Sequence, residues 1–254
     1  MITARIETQG RVVYALREGE LYREMKGDPF SGMEKTERVY APEEIRLLAP
    51  VQPSKILAVG KNYAAHAREF DGEPPASPII FMKPSTCVIG PEETIVRPRI
   101  SQRVDYEGEL ALVVGKRARN VKPEDFAQYV LGYTILNDVT ARDLQRQDGQ
   151  WTRGKGFDTF APIGPVITDG VDPSHLRITT RLNGKTVQDS NTSRFLFSLG
   201  EIFSFVTRFT TLLPGDVVTT GTPEGVGGMA DGDVVEVCIE GIGTLRNVVK
   251  DEIL

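Results

Sequence analysis

Five residues, Asp105-Tyr106-Glu107-Gly108-Glu109, run directly into the apolar stretch Leu110-Ala111-Leu112-Val113-Val114. A continuous apolar run of this length reads as a buried strand. Side chains alternate across a strand, so Glu107 and Glu109 are expected on one face. Two like charges beside a core strand repel each other and lose hydration. A cation between them removes both penalties, so the pattern points to a metal site with oxygen ligands. A solvated acidic edge at the start of the strand is the other reading, because paired acids are common on surfaces.

Composition narrows the identity of such a metal. The 254 residues contain only two histidines, His66 and His175, so a His-rich zinc site is excluded. A carboxylate site favours Mg2+ or Mn2+, with Ca2+ as an alternative occupant. Cys87 and Cys238 are the only cysteines, lie in apolar surroundings and show no CxxC spacing. They are expected as buried reduced thiols in a cytoplasmic protein. A formal charge of -5 argues against nucleic acid and anionic membrane surfaces as partners. No apolar run is long enough to span a bilayer, and the first residues alternate like a strand rather than a signal peptide.

The chain reads as α+β. Residues 1–50 are expected as a small N-terminal β-containing domain and residues 51–254 as the catalytic domain, divided at Ala49-Pro50-Val51-Gln52-Pro53. Ile2 to Glu7 and Arg11 to Arg17 alternate as strands around a Gln9-Gly10 turn, and Met25 to Tyr40 reads as a polar loop. Pro42-Glu43-Glu44 opens a short helix. Further strands are expected at Ile56–Val59, Val104–Gly115, Val130–Asn137, Ile163–Thr168, Val217–Thr220, Val234–Ile239 and Thr244–Val249. Asn183-Gly184 joins a hairpin. Helical periods occur at Asn62–Phe70 and Ser198–Phe209. Many strands with scattered helices argue against alternating βαβ units.

Several groups could carry chemistry. Asp138 ends an apolar strand, where it either completes a ligand set with Glu107 and Glu109 or caps a helix starting at Thr140. His66 and Glu69 are three apart on a helical face, so they form either an imidazole–carboxylate base pair or a chance surface pair. Arg142, Gln145 and Lys155 flank a polar loop with the only tryptophan, Trp151. That loop either holds an anionic substrate or is a solvated basic stretch. The Gly-rich segment Thr219 to Gly227 lacks the lysine and spacing of a nucleotide loop. A tight turn presenting backbone amides and the Thr222 hydroxyl to a small anion fits it better.

Seven ordered motifs carry a resemblance: KILAVGKNYAAH, FMKPST, DYEGELALVVGK, GYTILNDVTARDLQ, GKGFDTFAPIGP, LNGKTVQDSNTS and LLPGDVVTTGTPEGVG. From Lys55 onward the chain resembles the smaller members of the fumarylacetoacetate hydrolase family. The resemblance implies a mixed β-roll catalytic domain, a divalent metal and a homodimer. By motif, Glu107, Glu109 and Asp138 match metal ligands, and His66 with Glu69 match a water-activating pair. Lys155, Arg142 and Gln145 match substrate contacts, and Thr222 matches a substrate-carboxylate position. The larger family members carry a further ligand Asp seven residues before the histidine, where this chain has Val59.

The resemblance implies action on a small 2-oxo acid through an enolate, in the setting of aromatic catabolism. The sequence expectation is hydrolysis of the C–C bond of acylpyruvate-like 2,4-dioxo acids. The same site also suits isomerisation of 2-hydroxyhepta-2,4-diene-1,7-dioate or decarboxylation of oxaloacetate. A non-catalytic 2-oxo acid binding protein is the alternative from outside enzymology.

Overall fold

In the computed structural model the described residues are 1–69 and 75–253, with backbone alone for 67–69. The chain opens with four strands, β1 (Ile2–Thr8), β2 (Arg11–Glu18), β3 (Leu21–Asp28) and β4 (Gly32–Tyr40). Gln9 and Gly10 both take positive φ, 49° and 72°, which suits the twist of a two-residue hairpin. The loop expected between Met25 and Tyr40 is instead the β3–β4 hairpin, paired from Tyr22↔Tyr40 to Asp28↔Gly32. β4 is exposed along most of its length. It therefore carries no apolar alternation, and its backbone pairing is what makes it a strand.

A single 3-10 turn, Pro42–Glu44, precedes β5 (Arg46–Leu47) and β6 (Ile56–Gly60). Next come α1 (Ala64–Glu69), β7 (Ile79–Lys83), β8 (Val88–Ile89) and β9 (Thr94–Arg97). The expected strand from Val104 to Gly115 is two strands, β10 (Val104–Tyr106) and β11 (Gly108–Val114), with Glu107 at the break. β12 (Val130–Asn137) and β13 (Thr140–Ala141) lead to α2 (Arg142–Asp148) and α3 (Thr152–Lys155). The remainder is β14 (Ala161–Thr168), β15 (Arg177–Leu182), β16 (Lys185–Asn191), α4 (Leu199–Phe209), β17 (Val217–Thr219), β18 (Gly227–Gly228), β19 (Val234–Ile239) and β20 (Gly243–Asp251).

One sheet of 12 strands runs β4-β3-β2-β1-β14-β12-β11-β17-β6-β7, with β5 on β1 and β8 on β14. The N-terminal hairpins join it through Ile2↔Thr168 and Thr3↔Ile167. A five-stranded sheet, β16-β15-β19-β20-β9, and a three-stranded one, β13-β10-β18, complete the fold. β11 lies inside the large sheet and every residue in it is buried, which explains its unbroken apolar sequence.

The main core joins Leu110, Leu112 and Ile135 of the large sheet to Ile178, Val237 and Leu245 of the five-stranded one. Helix α4 closes it with Leu199, Ile202, Phe203 and Val206, spaced to lie on one face. Each such side chain contributes about 1.5–3 kcal/mol through removal from water. Ser198 caps α4 by accepting from Glu201 N–H, and the Glu201 carboxylate returns to Ser198 N–H. Cys87 is buried and free, its thiol pushed up to about 11 by burial. Cys238, expected buried, is only half-buried, because β19 alternates between covered and open faces.

Glu24 ties three N-terminal strands together. Its carboxylate accepts from Arg11 at 2.9 and 3.2 Å and from the Tyr40 hydroxyl. Arg11 does most to hold the carboxyl down at about 2, against the opposing effect of burial. Replacing Glu24 by Gln is expected to cost about 1–3 kcal/mol of unfolding free energy at neutral pH. A depressed carboxyl contributes stability above its unfolded value and loses it as pH falls. The difference between the two proteins should therefore shrink as pH drops from 4.5 toward about 2, as read by urea unfolding.

Candidate metal centre and cleft

The ladder between β11 and β12 assembles the acids. Gly108 pairs with Asn137 and Glu109 with Leu136, so the pairing ends where Glu107 meets Asp138. Asp138 N–H donates to the Glu107 carbonyl at 2.8 Å, and Glu107 N–H donates to Asn137 Oδ1 at 2.9 Å. Gly108 must be glycine, because a Cβ there would lie 2.5 Å from Thr180 Oγ1. That close packing of β11 on β15 coincides with the break at Glu107. Strict alternation therefore does not place Glu107, yet its carboxylate still converges with the other two. One oxygen each from Glu107, Glu109 and Asp138 lies within 4.8 Å of the others, and all three residues are buried. Asp138 does not cap a helix at Thr140; α2 starts at Arg142, with Ala141 at its cap position.

Cations surround two of the three acids. Lys155 Nζ donates to Glu107 Oε2 at 2.7 Å and to Asp138 Oδ2 at 2.6 Å. Lys83 Nζ donates to Asp138 Oδ1 at 2.6 Å and to the Val139 carbonyl at 3.2 Å. Arg142 bonds Glu107 Oε1 through Nη2, Asp105 Oδ2 through Nε at 2.9 Å and Gln145 Oε1 through Nη1 at 2.8 Å. Burial would raise the Glu107 carboxyl, but Lys155 and Arg142 outweigh it and hold it below the usual range. Glu109 behaves oppositely. Burial, then the charges of Asp138 and Glu107, push it well above the usual range. Gly221 N–H donates to its Oε2 at 2.9 Å, but a neutral donor does not cancel two neighbouring charges.

This donor set fits a divalent cation. It offers hard oxygen ligands, it is buried, and among the described residues Glu109 has no ion-paired cation of the kind that Glu107 and Asp138 have. Glu107, Glu109 and Asp138 would hold the ion. Val59, where a fourth acid was absent from the sequence, is buried and lines the cleft beside them.

A cleft of about 150 Å3 opens onto the acids. His66, Arg142, Gln145, Lys155 and Thr222 all border it, together with Lys61, Phe81, Arg146 and Trp151. The approach of α2 to α3 requires Gly154, since a Cβ there would come within 2.8 Å of the Gln145 backbone. That contact sets Lys155 beside Arg142. Lys155 Nζ lies 4.9 Å over the Phe81 ring, and Phe81 meets Trp151 edge to face at 5.2 Å. His66 is near enough to Glu107 to favour its charged form. The Glu69 side chain lies outside the described residues.

The Gly-rich turn makes bonds within the protein. Its Gly221 amide serves Glu109, and the Thr222 hydroxyl donates to the Gly108 carbonyl and accepts from Gln188 Nε2, both at 2.9 Å. The turn thus locks a ligand strand in place. Sequence reasoning missed Lys83 and Asp105. Lys83 ends the apolar run Ile79-Ile80-Phe81-Met82, a place where a lysine needs a buried acid. Asp105 was quoted only as part of its motif, although it is fully buried and bonds both Arg103 and Arg142.

Residues 55–250 match the family described as fumarylacetoacetate (FAA) hydrolase C-terminal, and residues 1–50 match that described as Rv2993c-like, N-terminal. The chain belongs to the fumarylacetoacetate hydrolase family. An uncharacterized protein of Archaeoglobus fulgidus is 60% identical over 203 residues, covering 80% of this chain and 81% of that one. Mitochondrial oxaloacetate tautomerase FAHD2A of Bos taurus is 44% identical, covering 81% of this chain and 70% of its own. The solved structure of 5-carboxymethyl-2-hydroxymuconate delta-isomerase from Mycobacterium smegmatis superposes with a TM-score of 0.94. It is 45% identical, with 99% of this chain and 100% of that one covered. The strand-rich α+β fold is therefore that of the family. No helix among the described residues is long and apolar enough to cross a membrane.

Magnesium at about one hundred times its dissociation constant should stabilise the folded state by ~2.7 kcal/mol over a chelator-treated sample. A melting curve would show a rise on the order of 5–10 °C. Glu109→Gln should abolish that rise while leaving the chelated protein as stable as before, because it removes repulsion. Since Glu109 is raised, ion binding should release a proton and tighten with increasing pH; calorimetry in two buffers of different ionisation enthalpy measures this.

Proposed function

We propose that the protein catalyses proton transfer between the keto and enol forms of a 2-oxo acid. The observation that carries this reading is the convergence of Glu107, Glu109, Asp138 and Lys155 at the floor of a cleft bordered by His66. A tautomerase and a delta-isomerase among the relatives support it, since both words denote relocation of a proton or a double bond.

Glu107, Glu109 and Asp138 would hold a divalent ion, which would supply a Lewis acid for the keto oxygen. The remaining work belongs to side chains. Lys155 is buried and charged, so it can donate to that oxygen as negative charge develops there, in surroundings that screen little. His66 takes the proton from the carbon next to the keto group and returns it in the reverse direction. Asp105 and Gln145 fix the Arg142 guanidinium, which keeps Glu107 ionised. Phe81 and Trp151 form an apolar wall that limits water access.

A second reading keeps the hydrolysis expected from sequence. Val59 and His66 border the same cleft, and without an acid at Val59 one more position on a bound ion would be open to a water that His66 could activate. The test compares oxaloacetate enol–keto exchange, followed by ultraviolet absorbance, with cleavage of acetylpyruvate, both with magnesium. Exchange above the solution rate, reduced about 10²–10⁴-fold in His66→Ala, supports proton transfer. Acetylpyruvate cleavage without accelerated exchange replaces it with the hydrolase. Loss of carbon dioxide from oxaloacetate at the same rate as enol decay replaces it with a decarboxylase. A cytoplasmic homodimer remains part of the proposal; light scattering should give twice the chain mass.

A further inference from the structure

Asp138 is gripped by two lysines, and only one of them is placed to reach a substrate. Lys155 borders the cleft and shares its ammonium between Asp138 Oδ2 and Glu107 Oε2. Lys83 is fully buried and does not border the cleft. Its ammonium holds the other Asp138 oxygen, Oδ1, at 2.6 Å and the Val139 carbonyl at 3.2 Å. The chemistry above uses Lys155 and gives Lys83 no part.

The strand β7 places this lysine. Ile79, Phe81 and Lys83 share one face of the strand, and Phe81 borders the cleft. The pairing of Lys83 with Ile56 of β6 fixes its backbone. From there the side chain crosses to the link between β12 and β13, where Asp138 and Val139 lie. Its ammonium therefore has one anchor on a side-chain oxygen and another on the main chain. With the ladder behind it, the group has little freedom to follow the carboxylate.

A carboxylate offers two oxygens and can turn about the bond that carries it. Asp138 Oδ2 shares Lys155 with Glu107, so it is the oxygen on the Glu107 side. Oδ1 is tied to an ammonium that is itself tied to the backbone, which opposes rotation of the carboxylate. Stability alone does not explain this pair, since apolar side chains often replace a buried ion pair at little cost. Control of which oxygen faces the other two acids does explain it.

Building on the reading of the three acids as a metal centre, we propose that Lys83 is a positioning residue that holds Asp138 Oδ1, so that Asp138 meets a divalent ion through Oδ2 alone. Two roles for Lys83 differ in sign. As a charge and nothing more, it would repel a cation, and its removal would tighten ion binding. As a positioning group it favours binding, and its removal loosens the ion about tenfold, the usual cost of losing a partner that orients a ligand.

Calorimetry with Mn2+ reads the difference. Lys83→Met removes the charge and keeps an unbranched side chain; it should bind Mn2+ about tenfold more weakly than the unmodified protein. The paramagnetic resonance spectrum of the bound Mn2+ should change as Asp138 turns. In Lys83→Ala, added propylammonium replaces the missing atoms and should restore the affinity, whereas propanol should not. Unchanged or tighter Mn2+ binding in Lys83→Met, or equal effects of the two additives on Lys83→Ala, overturns the proposal. Loss of the fold in both variants, read by melting curves in chelator, also overturns it, because Lys83 would then be a structural element. Failure of the unmodified protein to bind Mn2+ overturns the metal centre itself.

Discussion

Repulsion among three buried carboxylates is the constraint on which the site depends. Glu107, Glu109 and Asp138 are removed from water and brought within 4.8 Å, an arrangement that destabilises all three unless positive charge enters. The chain supplies part of that charge through Lys83, Lys155 and Arg142. Among the described residues it gives Glu109 no ion pair, and burial with the charges of Asp138 and Glu107 pushes its carboxyl up despite Lys155. A fully self-neutralised cluster would be a stable core element with little use. A cluster in which one acid has no ion-paired cation is suited to a divalent ion.

The fold fixes this arrangement through backbone pairing. The β11–β12 register sets Glu107 against Asp138 by main-chain hydrogen bonds, so the acids cannot separate without disrupting the central ladder. Thr220 and Thr222 attach the Gly-rich turn to β11 through the Leu110 and Gly108 carbonyls. The same turn then presents the Gly221 amide to Glu109. Because β11 is buried along its whole length, Glu109 is carried on a fully covered strand and Glu107 directly before it.

Much of this was legible in the sequence because the central strands are buried on both faces and read as apolar runs. The hairpin turns at Gln9-Gly10 and Asn183-Gly184 were legible for a different reason, since Gly10, Asn183 and Gly184 are residue types that tolerate positive φ. β4 was not, because it is exposed and charged, and its partner strand alone makes it regular. The convergence of Glu107 with Glu109 was anticipated through alternation, yet the structure achieves it across a strand break. Asp138 could not be separated from a helix cap by pattern, since the distinction depends on where α2 begins. Lys83 and Asp105 were passed over because a lone charge at a strand end resembles a surface residue until its burial is known.

The most direct measurement is anomalous diffraction from crystals grown with Mn2+. The account predicts a single strong peak bonded to oxygens of Glu107, Glu109 and Asp138, lost in the Glu109→Gln protein. Ordered, fully occupied manganese elsewhere, with Lys155 still bridging Glu107 and Asp138 and no peak between the three acids, would contradict it.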